Sequence, residues 1–351
     1  MATAFNRTLA GLAFALAASV ALVFPPAHAQ TLHKLATSTD EGREQRLIEG
    51  AKKEGSLLFY TTTPVEFASL LIEPFEKKYG IKVNVWRSRS ELVLQRVLNE
   101  ARGGNPAADV IVSLSPSIEA LHRENLLQEI SSRYHKELIP SAVAAHHEWA
   151  SIQQLVFVQA YNTEKVSKDE LPKTYQDLLA PKWKGKLGIE GSDHEWVSSV
   201  IKDMGEANGV RFFNELVGSN KLSVRNGHPL LTSLVASGEV PLALTVYQYS
   251  IDQAKKKGSP IDWFVIEPAI TITNAIAVTK KAPHPHAALL FYEYMLSADA
   301  HRILAKIGYF ATNSKVAPPI ENVKLKILEP TMLLEEHEKS YSRFESILRT
   351  K

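Results

Sequence analysis

The chain has 351 residues, 45% of them apolar and 22% charged, with a formal net charge of +2 and no cysteine. That length suits two domains rather than one, and the composition is that of a folded chain with a sizeable core. The small net charge argues against nucleic acid or an anionic membrane as partner, and the lack of cysteine excludes thiolate nucleophiles, thiolate metal sites, iron–sulfur clusters and a disulfide framework.

Arg7, the apolar run from Leu9 to Phe24, Pro25-Pro26 and the small-x-small triplet Ala27-His28-Ala29 read as a cleaved signal peptide over residues 1–29. The run is short for a membrane anchor, and no charged cytoplasmic flank follows it. With no cysteine at the cleavage site to carry a lipid, the expectation is a released, monomeric periplasmic protein that begins near Gln30.

Gly42 to Glu54 has helical spacing in Leu47, Ile48 and Ala51, with Gly55 as its C-terminal cap. Ser56 to Tyr60 reads as a strand. Pro64 opens a helix that Gly80 closes, and Ile81 to Trp86 alternates as a half-buried strand does. Ser88 to Ser90 leads into a helix with Leu92, Leu94, Val97 and Leu98 inward. Ala108 to Ser113 is a strand, and Ser115-Pro116 starts the next helix. This β-α-β-α-β-α order predicts a parallel sheet covered by helices.

The pattern loosens from Ile139 to Glu148, and a strand from Leu155 to Tyr161 begins a second unit. There follow a short helix at Tyr175 to Leu179, a strand at Leu187 to Ile189, and a helix from Ser192-Asp193 toward Met204. A helix at Val210 to Val217, a strand at Lys221 to Val224 and a helix at His228 to Ala236 come next. Val240 to Tyr249 reads as an apolar strand that ends in two tyrosines. Tyr247 and Tyr249 are two apart, so an extended backbone aims both side chains the same way, toward a crevice beyond the strand ends where such folds place ligands. The alternative is a pair of tyrosines at the edge of a core. Ile261 to Ile266 is a strand, and Ala269 to Thr279 is a β-branched run that crosses back to the first unit. Helices at His286 to Ser297 and Asp299 to Ile307 precede a polar tail with a helical end.

Thr61 to Thr63, Ser88 to Ser90, and Ser113 with Ser115 all lie between a strand and the helix after it, where hydroxyls and free N–H groups line a cleft rim. Thr62, Thr63, Ser90, Ser113, Ser115 and, on the crossing strand, Asn274 are the polar candidates on that side. His284-Pro-His286 reads as a helix start and His146-His147 as a solvated pair. Trp86, Trp196 and Trp263 read as core or cleft walls. A Gly-x-Ser-x-Gly elbow, a Gly-rich phosphate loop and a His-Glu-x-x-His motif are all absent, so a secreted enzyme is the remote reading.

The ordered motifs Leu57-Leu-Phe-Tyr60, Phe75-Glu-Lys-Lys-Tyr-Gly-Ile-Lys-Val83, Ala108-Asp-Val110, Pro181-Lys-Trp-Lys-Gly-Lys-Leu187, Ser237-Gly-Glu-Val-Pro241 and the Tyr247–Tyr249 strand resemble the ferric-iron-type periplasmic binding proteins, the solute receptors of ABC importers. The resemblance implies the α/β type II periplasmic binding fold: two lobes, each a mixed, mostly parallel sheet flanked by helices, joined by a two-strand hinge. It places residues 30–154 and 271–320 in one lobe and 155–270 and 321–351 in the other. It also implies a small ligand in the interlobe cleft, delivered to an inner-membrane ABC permease. No cofactor is required. Fe³⁺ is the leading transported ligand, and a small organic solute such as an aminophosphonate or a carboxylate is its competitor.

Residue by residue, the carry-over is mixed. The family's iron binders often use two adjacent tyrosines. Here Tyr249 falls on an expected position, with Gln248 beside it and Tyr247 one place earlier, which makes Tyr249 and Tyr247 the candidate metal ligands. Pro64 stands where the family has a histidine, and Leu114 where it has a glutamate. Asn226 matches an expected polar position. The family's Ser-Gly-Ala anion-binding turn is replaced by Asp193-His194-Glu195, which puts fixed negative charge at the positive end of a helix. Such a turn complements a cation or an amine; the plainer alternative is Asp193 as an N-cap and Glu195 as a first-turn dipole residue.

Overall fold

The structure is a computed structural model that describes residues 27–319 and 323–349. Residues 1–26 of the expected signal peptide lie outside the described residues, and 27–29 fall in the first helix. No helix among the described residues is long and apolar enough to cross a membrane.

Helices α1 (Ala27–Thr37) and α2 (Arg43–Glu54) lead into a strictly alternating run. It comprises β1 (Ser56–Thr61), α3 (Val65–Tyr79), β2 (Lys82–Arg87), α4 (Ser90–Arg102), β3 (Val110–Leu114) and α5 (Ser115–Arg123). Gly55 and Gly80 end α2 and α3 in the left-handed region, at φ 74° and 73°, where a side chain would be strained. A long strand, β4 (Ala150–Asn162), opens the second run of β5 (Leu187–Glu190), α6 (His194–Met204), α7 (Glu206–Gly218), β6 (Ser223–Arg225), α8 (His228–Ser237), β7 (Leu242–Tyr247), α9 (Gln248–Lys256) and β8 (Ile261–Phe264). The chain returns through β9 (Ala269–Val278), α10 (Pro285–Leu296), α11 (Ala298–Ile307) and β10 (Phe310–Ala311). It ends in β11 (Leu325–Ile327), α12 (Pro330–Glu335) and α13 (His337–Leu348).

The strands join in the order β2-β1-β3-β9-β4-β7-β5-β6, with β10 and β8 on β4 and β11 on β9. Strands β1, β2 and β3 run parallel, as do β5, β6 and β7, while β9 is antiparallel to both β3 and β4. Strand β4 belongs to both halves: residues 150–156 pair with β9, and residues 157–162 pair with β7 and β8. This mixed sheet places the C-terminal ends of β1, β2 and β3 along one rim and those of β5, β6 and β7 along another, each followed by a helix N-terminus. The chain's end spans both halves. Helix α12 carries Glu335, paired with Arg123 of α5 at 2.9 Å, and α13 carries Arg343, paired with Glu206 of α7 at 2.7 Å.

Three elements differ from the sequence reading. In α4 the buried apolar residues are Val93 and Val97, while Leu92 is 42% exposed. Leu92, Val93 and Leu94 are all apolar, so the helical stripe can be drawn through either face, and packing against Tyr60 and Ile111 selects Val93. Strand β4 starts at Ala150 rather than Leu155, because Ser151, Gln153 and Gln154 are buried polar residues that interrupt an apolar pattern. The tyrosine strand stops at Tyr247, and Gln248 begins α9, so Tyr249 lies in a helical first turn.

Candidate functional site

Strand β5 ends in Glu190, a buried carboxylate whose oxygens are all engaged with backbone and hydroxyl donors. Glu190 Oε2 accepts from the Ser192 N–H (2.6 Å) and hydroxyl (2.5 Å), and Oε1 accepts from the Gly227 N–H (2.8 Å). Glu190 thus ties the loop after β5 to the loop after β6. Gly191 allows the close approach, since a Cβ there would lie 2.4 Å from Asn226 Oδ1. The two tied loops deliver Asp193 and His228 side by side.

Asp193 stands at the N-terminal position of α6, but its side chain caps no backbone N–H. One oxygen, Oδ1, faces His228 Nε2 at 3.2 Å, and the other, Oδ2, is buried without a partner. His228 Nδ1 is likewise buried and unpartnered. The expected N-cap role for Asp193 is therefore corrected: the carboxylate turns inward, away from the helix it precedes. The His228 ring lies 4.1 Å from the Tyr247 ring, which packs on Phe157 at 5.0 Å.

Burial raises the Asp193 carboxyl pKa against the pull of His228. Burial alone would lower His228, but the charges of Asp193, Glu190 and Glu195 outweigh it and raise that pKa. Tyr247 is held well above the ordinary phenol range by burial and by Asp193, Tyr249, Glu195 and Glu190. The group is rich in hard oxygens and negative charge, and holds more acceptors than donors.

Tyr249 stacks beside Tyr247 at 6.0 Å between ring centres with 14° between planes, so the two phenols keep company although only one is on the strand. Its other faces meet Tyr309 at 4.5 Å and Phe67, from α3, at 6.2 Å. Tyr249 thus touches the opposite half of the molecule, while Tyr247 faces Asp193 and His228. Burial raises the pKa of Tyr249 and of Tyr309.

The other candidates divide. Ser90 and Ser113 share a short hydroxyl–hydroxyl hydrogen bond, and Ser90 Oγ also accepts the Leu114 N–H at 3.2 Å. Ser115 is fully buried and accepts from Thr273, which accepts in turn from Ser151, both at 2.9 Å. The Thr63 N–H donates to Thr61 Oγ1 and the Thr62 N–H to the Val112 carbonyl, both at 3.0 Å. Asn226 is exposed beside Gly191. Asn274 is buried with Oδ1 unpartnered, directly across the ladder from Gln153, whose amide also lacks partners. His194 turns away from the tyrosines and donates from Nδ1 to Ser340 on α13 (3.0 Å). Glu195, next to it, has its pKa pushed up to about 8 by burial and by Asp193, Glu91 and Glu190.

Glu190 and His228 were not among the residues picked from sequence. Each sits at an element's end among ordinary helix-start residues, and only the pairing of β5 with β6 brings their loops together. His284 and His286 hold Asp109 and Glu54 at 2.9 and 2.7 Å at the start of α10, in keeping with a helix-start role. His146 is partly buried and stacks on His122 at 3.5 Å rather than being solvated.

A sequence model of the family described as bacterial extracellular solute-binding protein matches residues 71–328. The iron uptake protein A1 of Synechocystis sp. is 24% identical over 293 residues, covering 79% of this chain and 81% of its own length. The major ferric iron-binding protein of Neisseria gonorrhoeae is 25% identical over 254 residues, covering 69% of this chain and 76% of its own. The crystal structure of iron-bound HitA from Pseudomonas aeruginosa aligns with a TM-score of 0.73 at 23% identity, covering 83% of this chain and 99% of that one. The fold is the α/β type II periplasmic binding fold.

Proposed function

The chain belongs to the bacterial extracellular solute-binding protein family, and from that premise we propose that it is the periplasmic receptor of an ABC importer, with ferric iron as the solute it captures and hands to an inner-membrane permease. In this reading residues 30–154 with 271–319 make one lobe and 155–270 with α13 the other, while α12 packs back on α5 of the first. The lobes close on the ligand at the crevice beyond the strand ends, a hinge motion driven by the ligand's preference for the closed form.

The observation that carries the cation reading is the buried Asp193 with an unpartnered oxygen, set against His228 and Tyr247. A buried carboxylate oxygen without a donor is costly, and a cation removes that cost. Phenolate and carboxylate oxygens are hard donors that suit Fe³⁺. Asp193 and Glu195 also put two carboxyl groups beside the start of α6, which argues against a phosphate- or carboxylate-led ligand there. The relatives named for iron support the same reading.

The test is the visible absorbance of the purified mature protein before and after adding ferric citrate. A tyrosinate-to-iron charge-transfer band is expected, lost in Tyr247→Phe and weakened in Asp193→Asn. Without a band, and without a thermal shift on adding iron, the cation reading fails, and small amines become the ligands to screen.

A further inference from the structure

We propose that His194, Glu195 and His337 form a second metal site, for a borderline divalent ion such as Zn²⁺, which pins the C-terminal helix α13 to the first turn of α6. The three residues each bring one ligand atom to within 4.8 Å of the others. His194 turns toward α13, and Glu195 stands close enough to the cleft group to bear on the Tyr247 pKa.

The hydrogen bonds settle the protonation of the central ligand. Ser340 Oγ donates its own hydrogen to the His337 carbonyl at 2.9 Å, so it accepts from His194 Nδ1–H at 3.0 Å. His194 Nε2 therefore carries the lone pair. An outer hydroxyl that fixes the tautomer of a buried ligating histidine is the usual second layer of a metal site. That lone pair faces Glu195 Oε1 at 3.4 Å. The separation is too long for a good N–H···O hydrogen bond of about 2.7–3.2 Å. It is close to the roughly 3.3 Å that separates two ligands held about 2.0 Å from one ion at a tetrahedral angle.

His337, the first residue of α13, lies with its ring centre 4.9 Å from that of His194 and is exposed, so it can turn to supply the third bond and leave a fourth position to water. Two imidazoles and one carboxylate are a borderline set, unlike the hard oxygens around Tyr247. The positive ends of α6 and α13 both oppose a cation here. Glu336 and Glu338, which flank His337, supply the opposite charge.

The cluster of Glu119, His122 and His146 is less suited. There His146 Nδ1 accepts the Glu148 N–H at 3.1 Å, which leaves the proton on Nε2, the nitrogen that faces Glu119.

The test is a zinc titration of chelator-stripped full-length protein, repeated with Co²⁺ as a coloured probe. One equivalent should bind to the wild type and to Tyr247→Phe alike, with a cobalt d–d band. Ser340→Ala should weaken binding about 10- to 100-fold. His337→Ala, at an exposed helix position that does not threaten folding, should abolish the band while the circular dichroism is unchanged. Absence of zinc binding in the wild type overturns the proposal. So does binding that survives His337→Ala, or binding that disappears in Tyr247→Phe and thereby belongs to the cleft.

Discussion

His301 lies in α11 with no exposed surface. Its Nδ1 accepts the Asn313 N–H at 3.0 Å, and its Nε2 has no partner. Burial alone pushes its pKa down to about 3. The folded chain thus refuses a proton that the unfolded chain accepts near the ordinary histidine value of about 6.5. Neutral His301 contributes stability that is fully present above that value and is lost as pH falls toward 3. The loss runs at about 1.4 kcal/mol per pH unit, so acidification from about pH 6.5 to pH 5 removes roughly 2 kcal/mol.

His301→Asn keeps an acceptor where Nδ1 sits and removes the titration. The smaller side chain leaves a void that costs roughly 1–2 kcal/mol at every pH. The assay is urea unfolding of both proteins between about pH 8 and pH 5, read as variant minus wild type. The variant should start less stable, and the gap should close by roughly 2 kcal/mol below about pH 6.5. His135, whose pKa burial and the His147 and Arg43 charges lower to about 4, adds to acid sensitivity in both proteins and cancels in the difference. Parallel stability curves across that range would refute the argument.

Val93→Ala should cost about 2 kcal/mol, whereas Leu92→Ala should stay within about 0.5 kcal/mol, a contrast that thermal melts can read because only Val93 is buried. Gly209→Ala puts a Cβ 2.5 Å from Ile201 Cα and forces α6 and α7 apart. A loss of about 1–3 kcal/mol is expected, seen as a Tm lowered by a few degrees. Glu293→Leu strands Arg43, its partner at 2.6 Å in a pair whose side chains are both about nine-tenths buried. That single change should cost about 3–5 kcal/mol, and adding Arg43→Met should recover most of it in the same urea assay.

The alternation of strand and helix was legible from the spacing of apolar residues and the glycine stops, because those features are local. Gly55 and Gly80 ended their helices where expected. What sequence could not resolve depended on distant partners. The end of β7 is set by where β4 stops pairing with it, at Phe157 opposite Tyr247, and an apolar run alone carries no such mark. At the candidate site, Tyr247 and Asp193 were picked from an aromatic strand end and an acidic turn, both local features. His228 and Glu190 were not, because each acquires its role only when β5 and β6 pair. His194 was grouped with its neighbours in sequence, but one helical residue's turn aims it at α13 instead of the tyrosines.

Strand β9 is made late yet sits between β3 and β4, which are made early. A polypeptide emerging N-terminus first therefore has a gap at the middle of its sheet until residues 269–278 arrive, and no earlier segment is hydrogen-bonded on both sides of that gap. Long-range insertions of this kind are slow to form. A version ending before Ala269 lacks the strand that joins β3 to β4 and should remain open to proteases. The two halves of the sheet thus share one late strand, and what consolidates either half depends on its arrival.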